Sequence, residues 1–202
     1  MQKRQFLSTS IGAAAAALGL PALAKPGKPN ATTTQPVLLT VTGAISKTNR
    51  PAFEATQDIL MSKQKLSFDK GFCFDFASLL NLPAASFQAT LEYDGKPHTL
   101  SGPRLTDILQ HCGIGNNADG ERYSVTTRAI DGYAANFTLS KLRKWEVLIA
   151  THLDGKPMAL GGLGPLWTVY DATRQPEGAS MSLSQRFALC PWATYHIDVQ
   201  AL

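Results

Sequence analysis

The sequence predicts an α+β protein in which short helices accompany a mixed, barrel-like β-sheet. Apolar and polar residues alternate in several short segments, a pattern typical of half-buried strands. Apolar residues at helical spacing occur in only a few short segments, each close to a Pro or Gly that would end the helix. The 202 residues are 44% hydrophobic and 17% charged, which indicates one globular domain of ordinary size.

The first residues have the composition of an export signal. Lys3 and Arg4 form a basic start, residues 11–20 are apolar, and residues 22–24 have the small-x-small pattern of a cleavage site. The Lys-Arg pair is close to the twin-arginine (Tat) motif, and an ordinary Sec signal fits the same composition. We therefore expect residues 1–24 to be a cleaved signal peptide and the mature protein to be periplasmic.

A linker and one domain are expected after the signal. Residues 25–36 are rich in Pro, Lys and Thr and have no apolar periodicity, which predicts a flexible linker before a domain over residues 37–202. The net charge is +4, and loss of residues 1–24 removes two basic residues and no acidic one, which leaves +2. No run of four or more Lys and Arg occurs. This charge pattern argues against a nucleic-acid partner.

β-Branched runs, helix caps and turn residues predict the elements of the first half of the domain. A strand is expected over residues 37–45, and Asp75 is positioned to cap a short helix that ends before Pro83. Alternation over residues 87–93 predicts a strand that turns at residues 94–95. The remaining elements of this half are a return strand over residues 98–101 and a helix from Pro103 that ends before Gly113.

The second half has the same style without repeating the sequence. Strands are expected over residues 123–128 and 133–137, on either side of an Asp-Gly turn at residues 131–132. Thr138 precedes a predicted helix over residues 139–145. The other expected elements are a buried-type strand over residues 147–152, a tight turn over 154–157, a loop over 161–165, a strand over 166–170 and a last strand with alternation at 195–199.

The three cysteines do not predict a metal site. Cys73, Cys112 and Cys190 lie 39 and 78 residues apart, and no second Cys or His stands at the spacing of a zinc site. An exported chain can form a disulfide, but the sequence does not say which two cysteines would pair. Burial as small apolar residues is the simpler interpretation of Cys73 and Cys112. Cys190 precedes Pro191 and Trp192, and a ligand-facing or redox role stays open for it.

Several short motifs follow one another along the chain. They include Phe74-Asp75-Phe76, Thr90-Leu91-Glu92, Leu100-Ser101-Gly102-Pro103, Asp131-Gly132-Tyr133-Ala134, Asp154-Gly155-Lys156-Pro157-Met158 and Gly164-Pro165-Leu166-Trp167. In this order they resemble the oxidoreductase molybdopterin-binding domain family, which has the sulfite oxidase fold, and in particular its small exported single-domain members. The resemblance covers about residues 37–202.

The resemblance implies a pterin or molybdopterin-like ligand. In catalytic members a Thr-Leu-Glu-Cys type strand supplies the thiolate that binds molybdenum, whereas this chain has Tyr93 at that position. A phenol is a poor replacement for a thiolate, and the loop over residues 161–165 has no Arg or Lys for a molybdopterin phosphate. Small members that lack the cysteine bind a free pterin in the periplasm. We therefore expect no catalytic residue, no metal and no bound molybdenum.

A pterin is a flat, polar heterocycle, so its site needs aromatic faces and groups that pair with its amino and ring N–H edge. The expected pterin-binding residues are Trp167, Tyr93, Asp131, Tyr133, Tyr170, Arg186 and Trp192, with Asp94 and Glu92 as further carboxylates. Trp167 is foremost among them because it follows a Gly-Pro turn. The simpler interpretation makes Trp167 a core aromatic and Asp131 a turn residue.

Three functions stay open at this point. The first, implied by the resemblance, is a pterin-binding protein that acts as a ligand sensor for a membrane signalling enzyme of cyclic di-GMP metabolism. The second is a molybdenum-cofactor-dependent oxidoreductase. The third is a degenerate domain that uses the pocket surface only for contact with another protein.

Overall fold

The structure is a computed structural model that describes residues 35–176 and 178–202. The predicted signal peptide over residues 1–24 lies outside these ranges, as does the predicted linker over 25–36 except for its last two residues. Within the described ranges, no helix has the length and apolar character needed to cross a membrane.

Strands outnumber helices, and every helix is short. In chain order the described residues form β1 (Val37–Gly43), α1 (Ile59–Lys63), β2 (Gly71–Asp75), α2 (Phe76–Leu80), β3 (Ala84–Thr90), β4 (Pro97–Pro103), α3 (Leu105–His111), β5 (Tyr123–Ala129), β6 (Ala134–Thr138), α4 (Leu139–Trp145), β7 (Leu148–Ala150), β8 (His152–Leu153), β9 (Lys156–Pro157), β10 (Trp167–Val169), α5 (Leu183–Arg186) and β11 (Thr194–Ala201). Single turns of 3₁₀ helix lie at Gly120–Arg122, Ala172–Arg174 and Gly178–Ser180.

The strands form three sheets. The largest has the order β2-β1-β11-β5-β6, in which β11 runs parallel to β1 and antiparallel to β5. A second sheet has the order β3-β4-β8-β9, and β10 pairs with β7 in a third. The predicted α+β class with a mixed sheet and short helices is confirmed. The predicted barrel is wrong, because among the described residues the three sheets stay separate and none closes on itself.

Local sequence signals located several elements well. The carboxylate of Asp75 caps α2 by accepting the backbone N–H of Ser78 at 2.7 Å. The hydroxyl of Thr138 caps α4 by accepting the backbone N–H of Lys141 at 3.1 Å. Gly113 follows the end of α3 with φ +92, a conformation that glycine adopts without strain.

Two predicted strands differ from the observed ones. The strand expected over residues 87–93 is β3, which ends at Thr90, so Tyr93 lies in the loop that follows. The strand expected over residues 147–152 divides at Thr151, where β7 ends and β8 begins. The physical reason is a change of partner, since β7 pairs with β10 whereas β8 pairs with β4 and β9.

The core lies between the sheets and the helices that cover them. Trp167, Phe74 and Phe137 are the largest fully buried side chains. The buried apolar side chains form one continuous cluster that includes residues of all three sheets and of helices α2, α3 and α4. This cluster holds the buried strands β1, β5, β7 and β10 in place, and the loops that join these strands lie around it.

Gly102 marks a close approach between β4 and β7. A Cβ atom at Gly102 would collide with the carbonyl oxygen of Ile149 and with the Cα of Ala150. Only a residue without a side chain therefore allows the two backbones to pack at this distance.

We predict that Gly102→Ala lowers the free energy of unfolding by about 1–3 kcal/mol, because the added methyl group forces β4 and β7 apart. Chemical denaturation followed by circular dichroism measures this loss. Gly115→Ala is the matched control, since a Cβ at the exposed Gly115 meets nothing within 4 Å. Equal midpoints for the two variants would contradict the close approach.

Candidate functional site

Three segments that are distant in sequence enclose one pocket. They are the loop between β3 and β4, the turn between β5 and β6, and the segment that runs from α5 to the start of β11. The cavity has a volume of about 280 Å³. We call it the aromatic pocket, and it is lined by Glu92, Tyr93, Ala129, Asp131, Tyr133, Ser184, Phe187, Ala188, Cys190 and Trp192.

Three aromatic side chains present surface at the aromatic pocket. Tyr93, Tyr133 and Trp192 are 55%, 48% and 46% exposed, respectively. Large aromatic residues exposed to this extent around one cavity offer faces on which a flat ligand can stack. The hydroxyl of Tyr133 donates to the carbonyl oxygen of Ala188, which ties the β5–β6 turn to the segment after α5.

The backbone around Trp192 is held by hydrogen bonds on both sides. The N–H of Thr168 donates to the carbonyl oxygen of Pro191 at 3.1 Å, and Trp192 forms a β-bridge with Trp167. The N–H of Ile130 donates to the carbonyl oxygen of Ala193 at 3.2 Å. Trp192 is therefore fixed between β10 and the turn that carries Asp131.

Asp131 has a structural role and also faces the aromatic pocket. Its Oδ1 accepts the backbone N–H of Tyr133 at 2.8 Å, and Gly132 between them has φ +93. This is the turn-shaping role that the simpler interpretation assigned to Asp131. Its Oδ2 takes no hydrogen bond from the residues that the structure describes, so this oxygen can accept from a ligand.

Tyr93 and Cys190 on the pocket wall are neutral at pH 7 because their pKa values are raised. Burial and the neighbouring Glu92 carboxylate raise the pKa of Tyr93 to about 12. Burial also raises the pKa of the Cys190 thiol, against a lowering by the backbone N–H of Tyr170, and Glu92 adds to the rise. The pocket thus combines a neutral phenol and a neutral thiol with the carboxylate side chains of Glu92 and Asp131.

Trp167 lies behind the pocket wall and not on its surface. The side chain is fully buried, and its ring stacks on Phe187 with 5.5 Å between the ring centroids. Its Nε1 donates to the carbonyl oxygen of Cys190 at 3.0 Å. Trp167, which we expected to be the foremost stacking residue, thus supports the wall from behind and presents no surface to the cavity.

Tyr170 and Arg186 do not line the aromatic pocket either. Tyr170 is buried and packs against Trp145, with ring centroids 4.6 Å apart. Arg186 ends α5, and its Nε is buried without a hydrogen-bond partner among the described residues. The structure therefore brings together four of the seven predicted binding residues: Tyr93, Asp131, Tyr133 and Trp192.

Sequence analysis missed the part of the wall that α5 provides. Ser184 lies in α5, and Phe187 and Ala188 follow it. A capping box starts this helix, in which the Ser182 side chain accepts from the backbone of Gln185 and the Gln185 side chain accepts from the backbone of Ser182. The Ser-x-x-Gln pattern was the available signal for this helix.

A second groove, with a volume of about 340 Å³, is lined in part by charged side chains that pair with one another. Arg104 and Arg174 contact the two carboxylate oxygens of Glu146 at 3.1 and 2.7 Å. Arg174 also pairs with Asp171 at 3.3 Å. Because these charges satisfy one another, this groove makes a weaker ligand site than the aromatic pocket.

The described residues contain no group of three or more His, Cys, Asp or Glu side chains that could hold a metal ion. All three cysteines are free and buried, so the structure contains no disulfide among them.

No protein family matches this sequence, and no curated protein matches it either. The fold is similar to the crystal structure of the sulfane dehydrogenase SoxCD from Paracoccus pantotrophus, with a TM-score of 0.52 and 12% sequence identity. The match covers 80% of this chain and 37% of that chain, so this protein spans little more than a third of its structural neighbour. The likeness supports a sulfite-oxidase-like fold.

We predict that the three thiols of the native protein resist thiol reagents. A pKa of about 12 for Cys112, where burial raises it from 9.0, lowers the thiolate fraction at pH 7 about 1,000-fold. Reaction with a chromogenic disulfide reagent should be slow in buffer and release three equivalents in denaturant. The Cys190→Ser variant tests the pocket thiol separately. If one equivalent reacts fast in the unmodified protein and this fast reaction is missing in Cys190→Ser, the burial of Cys190 is contradicted.

Proposed function

We propose that this protein binds a pterin in the aromatic pocket and carries out no metal-dependent catalysis. The observation that carries the proposal is the convergence of Tyr93, Asp131, Tyr133 and Trp192 on one cavity. These residues come from three separate segments of the chain, and all four belong to the set of residues that we expected to bind a pterin.

The shape of the aromatic pocket suits a small flat ligand. Its volume of about 280 Å³ is at the lower end of the range for small-molecule sites, which favours a ligand of one or two rings. Tyr93 and Trp192 offer stacking faces. The Glu92 and Asp131 carboxylates suit the 2-amino group and ring N–H of a pterin, which donate two parallel hydrogen bonds to a carboxylate.

The pocket residues do not fit a molybdenum ligand set. A molybdenum centre of this fold takes a protein thiolate, and Tyr93, with its pKa near 12, offers a neutral phenol at that position. The thiol of Cys190 is protonated as well, because burial raises its pKa. No lining residue is a Lys or Arg that would pair with a molybdopterin phosphate.

The alternative function is a molybdenum-cofactor-dependent oxidoreductase. The observation in its favour is the similarity of fold to a sulfane dehydrogenase. Metal analysis of protein purified from its own host distinguishes the two functions: stoichiometric molybdenum would overturn our proposal, and its absence from a sample that binds pterin would support it.

Our proposal includes export and a signalling partner. The basic start and apolar run of residues 1–24 support a periplasmic location. The partner would be the periplasmic domain of a membrane signalling enzyme of cyclic di-GMP metabolism, to which the pterin-loaded protein binds. The signalling partner is proposed from the sequence resemblance alone. Fractionation of cells that express the full chain tests the periplasmic location.

We predict that the protein starting at residue 25 binds reduced pterins with a Kd of tens of micromolar or tighter. Titration calorimetry under anaerobic conditions measures the affinity. Trp192→Ala should weaken binding about 2- to 10-fold, because an aromatic contact of this kind contributes about 0.5–1.5 kcal/mol. Glu92→Gln and Asp131→Asn should each weaken it by removing a carboxylate that pairs with the ligand edge.

Leu160→Ala is the matched control, because Leu160 is a large exposed apolar residue outside the aromatic pocket. Its affinity should equal that of the unmodified protein. Failure to bind any reduced pterin at tens of micromolar would overturn the proposal and favour a domain that uses this surface only for protein contact. Unchanged affinity in Trp192→Ala would place the ligand elsewhere.

A further inference from the structure

His98 on β4 lies between two carboxylates. Its Nδ1 is 2.7 Å from Oδ2 of Asp154, and its Nε2 is 3.0 Å from Oδ2 of Asp94. A neutral imidazole has one N–H donor, so its other nitrogen would direct a lone pair at a carboxylate oxygen. Only the imidazolium form, with two N–H groups, donates to both carboxylates. With both carboxylates ionised, the geometry therefore favours a positively charged His98.

The two carboxylates belong to different turns. Asp94 lies in the loop between β3 and β4, and its Oδ1 accepts the backbone N–H of Lys96 at 3.0 Å. Asp154 lies in the turn between β8 and β9, and its Oδ1 accepts the backbone N–H of Thr99 at 2.8 Å. Asp94 is thus anchored within its own loop and Asp154 is anchored to β4. A charged His98 on β4 contacts both carboxylates and so ties the two turns together.

The loop that His98 holds also forms part of the aromatic pocket. We call residues 91–96 the hairpin loop, and it contributes Glu92 and Tyr93 to the pocket wall. Its ends are joined by the N–H of Leu91, which donates to the carbonyl oxygen of Lys96 at 3.0 Å. The contact between Asp94 and His98 fixes the tip of the loop to β4, one residue after Tyr93.

We propose that His98 is a positioning residue whose positive charge holds the hairpin loop in its binding position, so that the affinity of the aromatic pocket falls when His98 loses its proton. The inference rests on the proposed function, since it concerns the regulation of the same pocket.

The titratable groups around His98 set the pH range of this effect. The carboxylates of Asp154 and Asp94 raise the pKa of His98 above its ordinary value near 6.5. The backbone N–H groups of Lys96 and Thr99, followed by His98 itself, lower the pKa of Asp94 and of Asp154. β3 carries no ionisable residue, and those on the other neighbouring segments are Glu92, Tyr93, Asp94, Lys96, His152, Asp154 and Lys156.

The sign of the pH dependence follows from these directions. We call the pair of contacts from His98 to Asp94 and Asp154 the His98 tie. It is complete while His98 is protonated and both carboxylates are ionised. It is lost as the pH rises through the raised pKa of His98, and again as the pH falls through the lowered pKa values of Asp94 and Asp154. His152 is the other histidine on the neighbouring segments, and it hydrogen-bonds to Thr151 instead.

The test compares pterin affinity at pH 6 and pH 9 in four proteins. The unmodified protein should bind two- to fivefold more weakly at pH 9, an effect of about the size that exposed charge pairs give. His98→Arg keeps a positive charge with several donors and should bind tightly at both pH values. His98→Gln should bind weakly at both, whereas the control His152→Gln should follow the unmodified protein. A change in affinity caused by titration of the ligand itself would have the same size in all four proteins.

A second measurement needs no ligand. Amide hydrogen-exchange protection of the hairpin loop, corrected for the intrinsic pH dependence of exchange, should fall as the His98 ring titrates in an NMR experiment. If the protein binds no pterin but protection of the hairpin loop falls over the pH range in which the His98 ring loses its proton, the His98 tie is supported and the proposed function is overturned. Pterin affinity and loop protection that are the same at pH 6 and pH 9 would overturn the tie and leave the pterin proposal standing. If His98→Arg does not fold, the comparison of His98→Gln with His152→Gln decides the matter in the same way.

Discussion

The structure depends on the insertion of β11 between β1 and β5. In this arrangement the last strand of the domain pairs with its first strand in parallel and with β5 in antiparallel orientation, at the centre of the largest sheet. The pairing of Thr194 with Ala129 places the residues just before β11 beside the β5–β6 turn. Trp192 and Asp131, sixty-one positions apart in the chain, therefore face one cavity. The aromatic pocket is a consequence of the position of β11 in the largest sheet.

The elements that could be predicted from sequence are those that local chemistry specifies. Thr138 and Asp75 satisfy the free N–H groups at the starts of α4 and α2, and such caps act within three or four residues. The division of the predicted strand at Thr151 depends instead on which distant strands pair with each half. The barrel prediction failed for the same reason, because sheet closure is decided by long-range pairing and not by alternation within a strand.

The residue types that form the site could be predicted from the sequence, but their arrangement around the cavity could be predicted only in part. Trp167 and Trp192 both adjoin proline-containing turns, and no local pattern distinguishes the buried ring from the half-exposed one. The difference arises because β10 packs inside the core, whereas Trp192, just before β11, is not part of the buried cluster. Sequence distance also concealed the contribution of Phe187, whose ring joins the pocket to Trp167 behind it.

Burial decides what chemistry the aromatic pocket can perform. The same packing that shapes the cavity removes water from Cys190, and partial loss of solvation together with Glu92 disfavours the anionic form of Tyr93. The groups that could serve as electron-rich ligands are therefore protonated, while the carboxylates of Glu92 and Asp131 supply hydrogen-bond acceptors at the wall. A neutral aromatic cavity with carboxylates at its edge is suited to recognition of a flat donor-rich ring. Because one wall is a loop whose tip is fixed by the charge on His98, recognition in such a pocket is coupled to protonation outside it.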